Sequence, residues 1–130
     1  MTEPWSMTFN LPLPPSLNNM FIANRKNNSK MPSFAYRKWR DSAGPCLVKQ
    51  WKALGSIHPP MKEPWQIAIL INVNRRSDID NRQKALLDLL VRCLPFPDDA
   101  WCDRVTIERS NKVAGCRLTV SNFSEISLAS

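Results

Sequence analysis

Residues 65–74 read Trp65-Gln-Ile-Ala-Ile-Leu-Ile-Asn-Val-Asn74, the most strand-like stretch of the chain. β-Branched and aromatic residues favour the pleated, extended backbone, and the middle of this stretch is almost continuously apolar. Continuous apolar character is typical of a strand that is buried on both faces. The stretch therefore predicts a central strand, covered on both sides, around which the rest of the fold is arranged.

The chain after this strand predicts a helix and two further strands. Asp80 matches an acidic helix cap with a glutamine three residues later, and the apolar spacing of residues 84–93 is helical, so a helix is expected from about residue 81 to 93. Residues 105–110 and 116–120 alternate around a turn containing Gly115, which predicts a terminal hairpin. Residues 121–130 are polar and serine-rich, and we expect this tail to fray.

The chain before the central strand predicts a strand, a loop and a helix. The strand covers residues 7–11 and stops at a run of prolines, which cannot donate to a sheet. Residues 18–32 hold five asparagines and several basic residues, which indicates a mobile surface loop. Ser33 can cap a helix that ends near Gly55, and Pro45 is expected to kink or divide it.

The helix after Ser33 carries an apolar stripe at three- and four-residue spacing. We interpret the stripe as core packing, with base stacking as the less favoured alternative; it consists of Tyr36, Trp39, Ala43 and Leu47. With 130 residues the chain has material for one modest core. The predicted fold is a small single-domain α/β (α+β) protein with a mixed sheet of about four strands and two main helices, spanning residues 1–130.

Composition favours a polyanionic partner and excludes several chemistries. Eighteen Lys and Arg against eleven Asp and Glu give a net charge of +7, which suits phosphates, although a merely soluble basic protein is the alternative. The four cysteines are irregularly spaced, so structural zinc has little support and reduced thiols are expected. The single histidine argues against a Ser-His-Asp site, and no glycine-rich phosphate loop occurs. With no signal-peptide pattern at residues 1–6 and no long apolar run, we expect a cytoplasmic protein.

Asp78 and Asp80 stand two residues apart at the end of the central strand. In extended backbone their side chains project to the same side, so both carboxylates can converge on a hard cation such as Mg²⁺ or Mn²⁺. Lys84 follows one helical turn later and can offset charge developing on a phosphate. The alternative is a solvated ion-pair ladder that runs from Asp80 through Lys84 to Asp88.

Asp98 and Asp99 follow a loop bounded by Pro95 and Pro97. The loop could bring one or both acids to the strand end that carries Asp78. Two or three carboxylates around a hydrated Mg²⁺ form a usual site for phosphoryl chemistry. The alternative is that Pro-Asp-Asp is simply a turn.

Three motifs resemble the RusA family, the crossover-junction endodeoxyribonucleases of bacteria and their prophages. They are the proline-rich strand exit with Asn18-Asn19, the run Asp78-Ile-Asp-Asn-Arg-Gln-Lys84, and Asp98-Asp-Ala. Their order and separations fit the family across nearly the whole chain. One departure is Leu17, which separates Ser16 from the asparagines, so contacts from this loop are in doubt.

The resemblance implies metal-dependent cleavage of four-way junctions by a homodimer of mixed α/β subunits. It implies that Asp78, Asp80 and Asp99 bind the metal and are catalytic with Lys84, while the role of Asp98 stays open. Flanking basic residues are expected to grip phosphates: Arg75, Arg76, Arg82, Arg25, Lys26, Lys30, Arg37 and Lys38. The alternatives are a DNA-binding module that does not cut, and a nuclease that acts on flaps or replication forks.

Overall fold

A computed structural model describes residues 3–23, 26 and 29–124 of the chain. The elements are β1 (Ser6–Leu11), β2 (Phe21–Ala23), β3 (Lys30–Pro32), α1 (Phe34–Ala53), β4 (Trp65–Ile71), α2 (Gln83–Cys93), β5 (Cys102–Arg109) and β6 (Cys116–Asn122). Four strands form one mixed sheet in the order β1-β6-β4-β5, and β2 pairs with β3 in a second, two-stranded sheet. The predicted fold class, a small mixed sheet with two main helices, is confirmed.

Strand β4 is central, as predicted, with antiparallel β6 on one side and parallel β5 on the other. Its burial alternates: Ile67, Ile69 and Ile71 are buried, whereas Ala68 is exposed. Strand β1 shows the same alternation. The prediction that β4 is covered on both faces was wrong, because the core forms on one face of the sheet and leaves the other open.

The two C-terminal strands exist, but the predicted terminal hairpin was wrong. Strands β5 and β6 do not pair with each other, because β4 lies between them. The connection crosses the end of β4, where Ser110 donates to the Ile71 carbonyl at 3.0 Å and Asn72 donates to the Gly115 carbonyl at 2.8 Å. Alternation within each strand predicts its faces but carries no information about its neighbour.

Helix α1 begins as predicted, with the Ser33 hydroxyl accepting from the Tyr36 amide at 3.1 Å. The helix runs unbroken past Pro45, so the expected division was wrong. Pro45 lies on the exposed side of the helix, where solvent can satisfy the carbonyl that loses its partner. The apolar stripe is buried in the core, which confirms its packing role: Tyr36, Trp39, Ala43 and Leu47.

Residues 18–32 were expected to form an irregular loop, and their described part instead forms an ordered pair of short strands. Met20 is fully buried, and its carbonyl accepts from the Ser33 amide at 2.8 Å. Strands β2 and β3 then pair in antiparallel fashion. Met20 and the partly buried Phe21 anchor this segment to the core. Residues 24–25 and 27–28 lie outside the described residues.

The start of the C-terminal segment belongs to the sheet. Ser121 and Asn122 belong to β6, where Ser121 pairs with Ser6, so fraying from residue 121 was wrong; residues 125–130 lie outside the described residues. All four cysteines are free thiols, as predicted, and burial raises the pKa of Cys116 to about 12. Within the described ranges, no helix is long and apolar enough to cross a membrane.

Gly115 is the glycine that this topology cannot replace. Its φ is +88°, and a Cβ there would lie 2.5 Å from the Leu11 carbonyl oxygen. We expect Gly115→Ala to lower the free energy of unfolding by about 2 to 5 kcal/mol, from left-handed strain and overpacking together. Gly55 is the matched control, because its φ is +101° but nothing lies within 4 Å of the point that a Cβ would occupy. Urea titration showing equal losses for both alanine variants would contradict the proposed clash.

Candidate active site

Asp78 and Asp80 lie beyond β4 rather than on its end. The strand stops at Ile71, Asp78 precedes a short 3₁₀ turn that spans Ile79–Arg82, and Asp80 lies within that turn. The prediction that Asp78 and Asp80 project to the same side of an extended strand was therefore wrong. Asp80 is also not the cap of α2, because the helix follows the turn directly at Gln83. Both carboxylates are exposed to solvent.

Asp98 and Asp99 lie on a rigidly anchored loop. The indole Nε1 of Trp65 donates to the Asp98 carbonyl at 3.3 Å, and the buried ring of Phe96 packs edge-on against Trp65 at 5.5 Å between centroids. The Asp98 carboxylate accepts from the Ala100 amide at 3.0 Å and caps the short 3₁₀ turn Asp99–Trp101. Asp98 thus belongs to a turn, and one oxygen of its carboxylate accepts from the backbone.

The two neighbouring acids differ in their electrostatics. Hydrogen bonding, chiefly from the Ala100 amide, lowers the pKa of Asp98. The pKa of Asp99 is raised, first by the hydrogen bond shared with Asp98, then by burial and by the negative charges of Asp98 and Asp88. Lys84 acts in the opposite sense and lowers the pKa of Asp99. A cation near Asp99 would act in the same sense as Lys84 and favour the ionised carboxylate.

Lys84 lies near Asp88 and Asp99. It follows Asp80 by four residues in the sequence, its charge reaches Asp99, and its Nζ lies 3.4 Å from the Asp88 carboxylate. That ion pair confirms the second half of the predicted ladder. Its side chains are 55% and 35% exposed, so it contributes less than about 1 kcal/mol to stability. Lys84 is thus held near the acids without being locked in place.

The candidate metal ligands have the right chemistry but do not form one closed cluster. Across residues 3–23, 26 and 29–124, no group of three or more His, Cys, Asp or Glu side chains is arranged to hold a metal ion. Mg²⁺ does not require such a group, since it keeps several waters and is usually bound by one or two carboxylates with substrate phosphate oxygens. Exposed carboxylates such as those of Asp78, Asp80 and Asp99 fit that mode of binding.

A cleft of about 400 Å³ adjoins Asp99 and is lined by two arginines, of which Arg92 was not singled out from the sequence. Arg40 and Arg92 line it together with Asp88, Asp98 and Asp99. The Arg40 guanidinium lies over the Tyr36 ring, 4.6 Å from its centroid. Helical spacing from Tyr36 to Arg40 and from Asp88 to Arg92 was visible in the sequence. That the two helices bring these positions together was not.

The predicted phosphate-binding residues lie in different environments. Most of those that the structure describes are exposed: Arg75, Arg76, Lys26, Lys30, Arg37 and Lys38. Arg82 is half-buried and donates from Nη1 to the Pro14 carbonyl at 2.7 Å. Arg25 lies outside the described residues. Exposed cations suit phosphate contacts, whereas the guanidinium of Arg82 has an internal partner.

The fold and the site together define a class of small mixed α/β proteins that present carboxylates and a lysine beside basic residues. Such an arrangement suits a protein that acts on a phosphate backbone. Residues 12–121 match the family model of the endodeoxyribonuclease RusA, and the chain belongs to that family. The RusA family comprises endodeoxyribonucleases that act on DNA junctions and generally depend on a divalent metal. No curated protein sequence gives a match to this chain.

Proposed function

We propose that this protein is a Mg²⁺-dependent endonuclease that resolves four-way Holliday junctions by paired, symmetric cuts in DNA recombination and repair. The observation that carries the proposal is the family match over residues 12–121, supported by the proximity of Lys84 and Asp88 to Asp99. A net charge of +7 supports a nucleic-acid partner. We place this activity in the cytoplasm, in a homodimer.

The proposed site divides its work among five residues. Asp78, Asp80 and Asp99 would hold the metal, which when bound polarises a phosphate oxygen and lowers the pKa of a water ligand. Mn²⁺ has the same preference for oxygen ligands and is the expected substitute. Lys84 is placed to stabilise negative charge that develops on the phosphate. Asp88 keeps the lysine oriented through the 3.4 Å ion pair.

Phosphate contacts supply most of the proposed affinity for DNA. Arg75 and Arg76 are exposed on the segment that leads directly to Asp78, so they can hold the strand next to the acids. Lys30, Arg37 and Lys38 extend this track on β3 and the first turns of α1. Contacts of this kind read the backbone and its shape, so we expect selectivity for junction geometry more than for base sequence.

A panel of labelled DNAs tests the proposed substrate. We expect a four-way junction to be cut faster than flaps, forks or duplexes by about tenfold or more, equivalent to about 1.4 kcal/mol of differential transition-state stabilisation. Cleavage should require added Mg²⁺ and produce symmetric, ligatable nicks. Preferential cutting of flaps or forks would favour the alternative nuclease, and tight binding without cutting at any metal concentration would favour a non-catalytic DNA-binding module.

A further inference from the structure

The segment between β4 and α2 carries Asp78 and Asp80 but has no strand pairing of its own. Asp78 makes no side-chain capping hydrogen bond, and both carboxylates are exposed. Local backbone bonds are few: the Ser77 amide donates to the Asn74 carbonyl at 3.1 Å, and the Asn81 amide donates to the Asp78 carbonyl at 3.4 Å. A loop held only by such bonds would place its carboxylates poorly.

Two arginines tie this segment to the rest of the molecule. Arg109, the last residue of β5, donates from Nη2 to the Ser77 carbonyl at 2.7 Å, immediately before Asp78. Arg82, at the end of the 3₁₀ turn, donates from Nη1 to the Pro14 carbonyl at 2.7 Å. Hydrogen bonds from a charged donor are short and strong, and these two lie on either side of the acids.

The anchor used by Arg82 is itself fixed. Pro14 is buried, and the proline-rich segment before it is held to α1 by a hydrogen bond of 2.9 Å from Trp39 Nε1 to the Pro12 carbonyl. The prolines after β1 have no backbone N–H to donate to a sheet, but their carbonyls remain good acceptors. The Pro14 carbonyl is therefore a fixed acceptor for Arg82, at the end of the turn that bears Asp80.

Burial of the two guanidiniums argues against a primary role in phosphate contact. The Nε atoms of Arg82 and Arg109 are both buried and have no hydrogen-bond partner among the described residues. Leaving a buried donor unsatisfied is costly, and a surface arginine that only meets DNA avoids that cost. Arg75 and Arg76, by contrast, are exposed.

We propose that Arg82 and Arg109 are positioning residues that hold the acid-bearing segment, residues 77–82, through its backbone. Arg109 fixes the segment at Ser77, and Arg82 fixes it to the Pro14 carbonyl. For Arg82 this replaces the phosphate contact expected from the sequence. The expected effect of these arginines on metal binding rests on the proposed function. Their expected effect on the backbone of residues 77–82 does not.

The test compares Arg82→Gln, Arg109→Gln and Arg82→Lys with the wild-type protein. Arg104→Gln is the matched control, because Arg104 is another half-buried arginine of β5, hydrogen-bonded to Gln66 and the Ser124 carbonyl instead. Four quantities are measured: hydrogen–deuterium exchange of residues 77–82, Mn²⁺ affinity by calorimetry, single-turnover cleavage of a four-way junction, and the salt dependence of junction binding.

We expect both glutamine variants to exchange faster at residues 77–82 and to bind Mn²⁺ at least about tenfold more weakly. Cleavage should slow by about 10²-fold, the scale of a small misplacement of catalytic groups. Junction affinity and its salt slope should stay within about twofold of wild type, and Arg82→Lys should recover part of each loss, because an ammonium can still donate to a carbonyl. Arg104→Gln should change none of these quantities.

Unchanged exchange at residues 77–82 would overturn the proposal, whatever the enzyme does. A flatter salt dependence of junction binding with unchanged Mn²⁺ affinity would also overturn the proposal, because Arg82 would then be a phosphate contact. An equal loss of Mn²⁺ affinity in Arg104→Gln would overturn it too, because the effect would then be general. Faster local exchange in a protein whose wild type neither binds Mn²⁺ nor cuts DNA would support positioning and reject the proposed function. If Arg82→Gln fails to fold, Arg109→Gln and Arg82→Lys decide by the same criteria.

Discussion

Replacing any one of the proposed metal-binding acids should nearly abolish cutting while leaving DNA binding intact. We expect Asp78→Asn, Asp80→Asn and Asp99→Asn each to slow single-turnover junction cleavage by about 10²- to 10³-fold, because a bound metal supplies several kcal/mol of charge stabilisation. Junction affinity should persist or tighten, because each change removes a negative charge near the phosphates. Gel-based cleavage and binding assays at the same ionic strength measure both quantities.

The control for these variants is Asp41→Asn. Asp41 is exposed on α1, so the substitution changes net charge equally and alters no proposed ligand. It should cut at the wild-type rate. Near-normal cleavage by Asp78→Asn, Asp80→Asn and Asp99→Asn would contradict the proposed metal site. If Asp41→Asn also lost cutting, the effect of the other variants would be explained by the change in net charge.

Resolution of a junction should require two working subunits. Two opposed strands must be cut, and each chain carries a single set of candidate acids, so a two-fold symmetric dimer would supply one site for each strand. We expect light scattering to give a dimer. Mixed dimers of one wild-type and one Asp80→Asn subunit, purified by two different tags, should nick one strand and leave doubly cut product near background.

A second mixed dimer tests whether each chain builds its own site. It pairs an Asp80→Asn subunit with an Asp99→Asn subunit, which leaves each chain with one defective ligand. If the ligands come from one chain, neither site should cut. Restored cutting would show that the acids are shared between subunits, and paired cuts by a protein that stays monomeric on DNA would contradict the dimer altogether.

Local structure was largely predictable because its causes are local. Ser33 caps α1 through an amide three residues away, and the apolar stripe of α1 follows from helical spacing. The extended, apolar character of residues 65–71 was sufficient to predict β4 as a central strand. The same reasoning erred at Asp80, where a cap pattern stands one 3₁₀ turn before the helix actually begins.

The neighbours of each strand in the sheet and the contacts between distant segments were not predictable in this way. Strand alternation indicated β5 and β6 but not that β4 lies between them, since a neighbour is chosen by burial across the whole sheet. Met20 turned an asparagine-rich segment into paired strands because it fills a fixed place in the core. The internal partner of Arg82 was not predictable either, because the Pro14 carbonyl lies 68 residues away.

For the site, the sequence by itself determined the chemistry: four acids, a lysine and a basic surface, in the order that marks the RusA family. Side-chain charge and hydrogen-bonding capacity belong to each residue wherever it lies. Only the tertiary structure brings Asp99 near Asp88 and Lys84, which lie on α2. That proximity joins two separate segments, whose distance only the packing of the core sets.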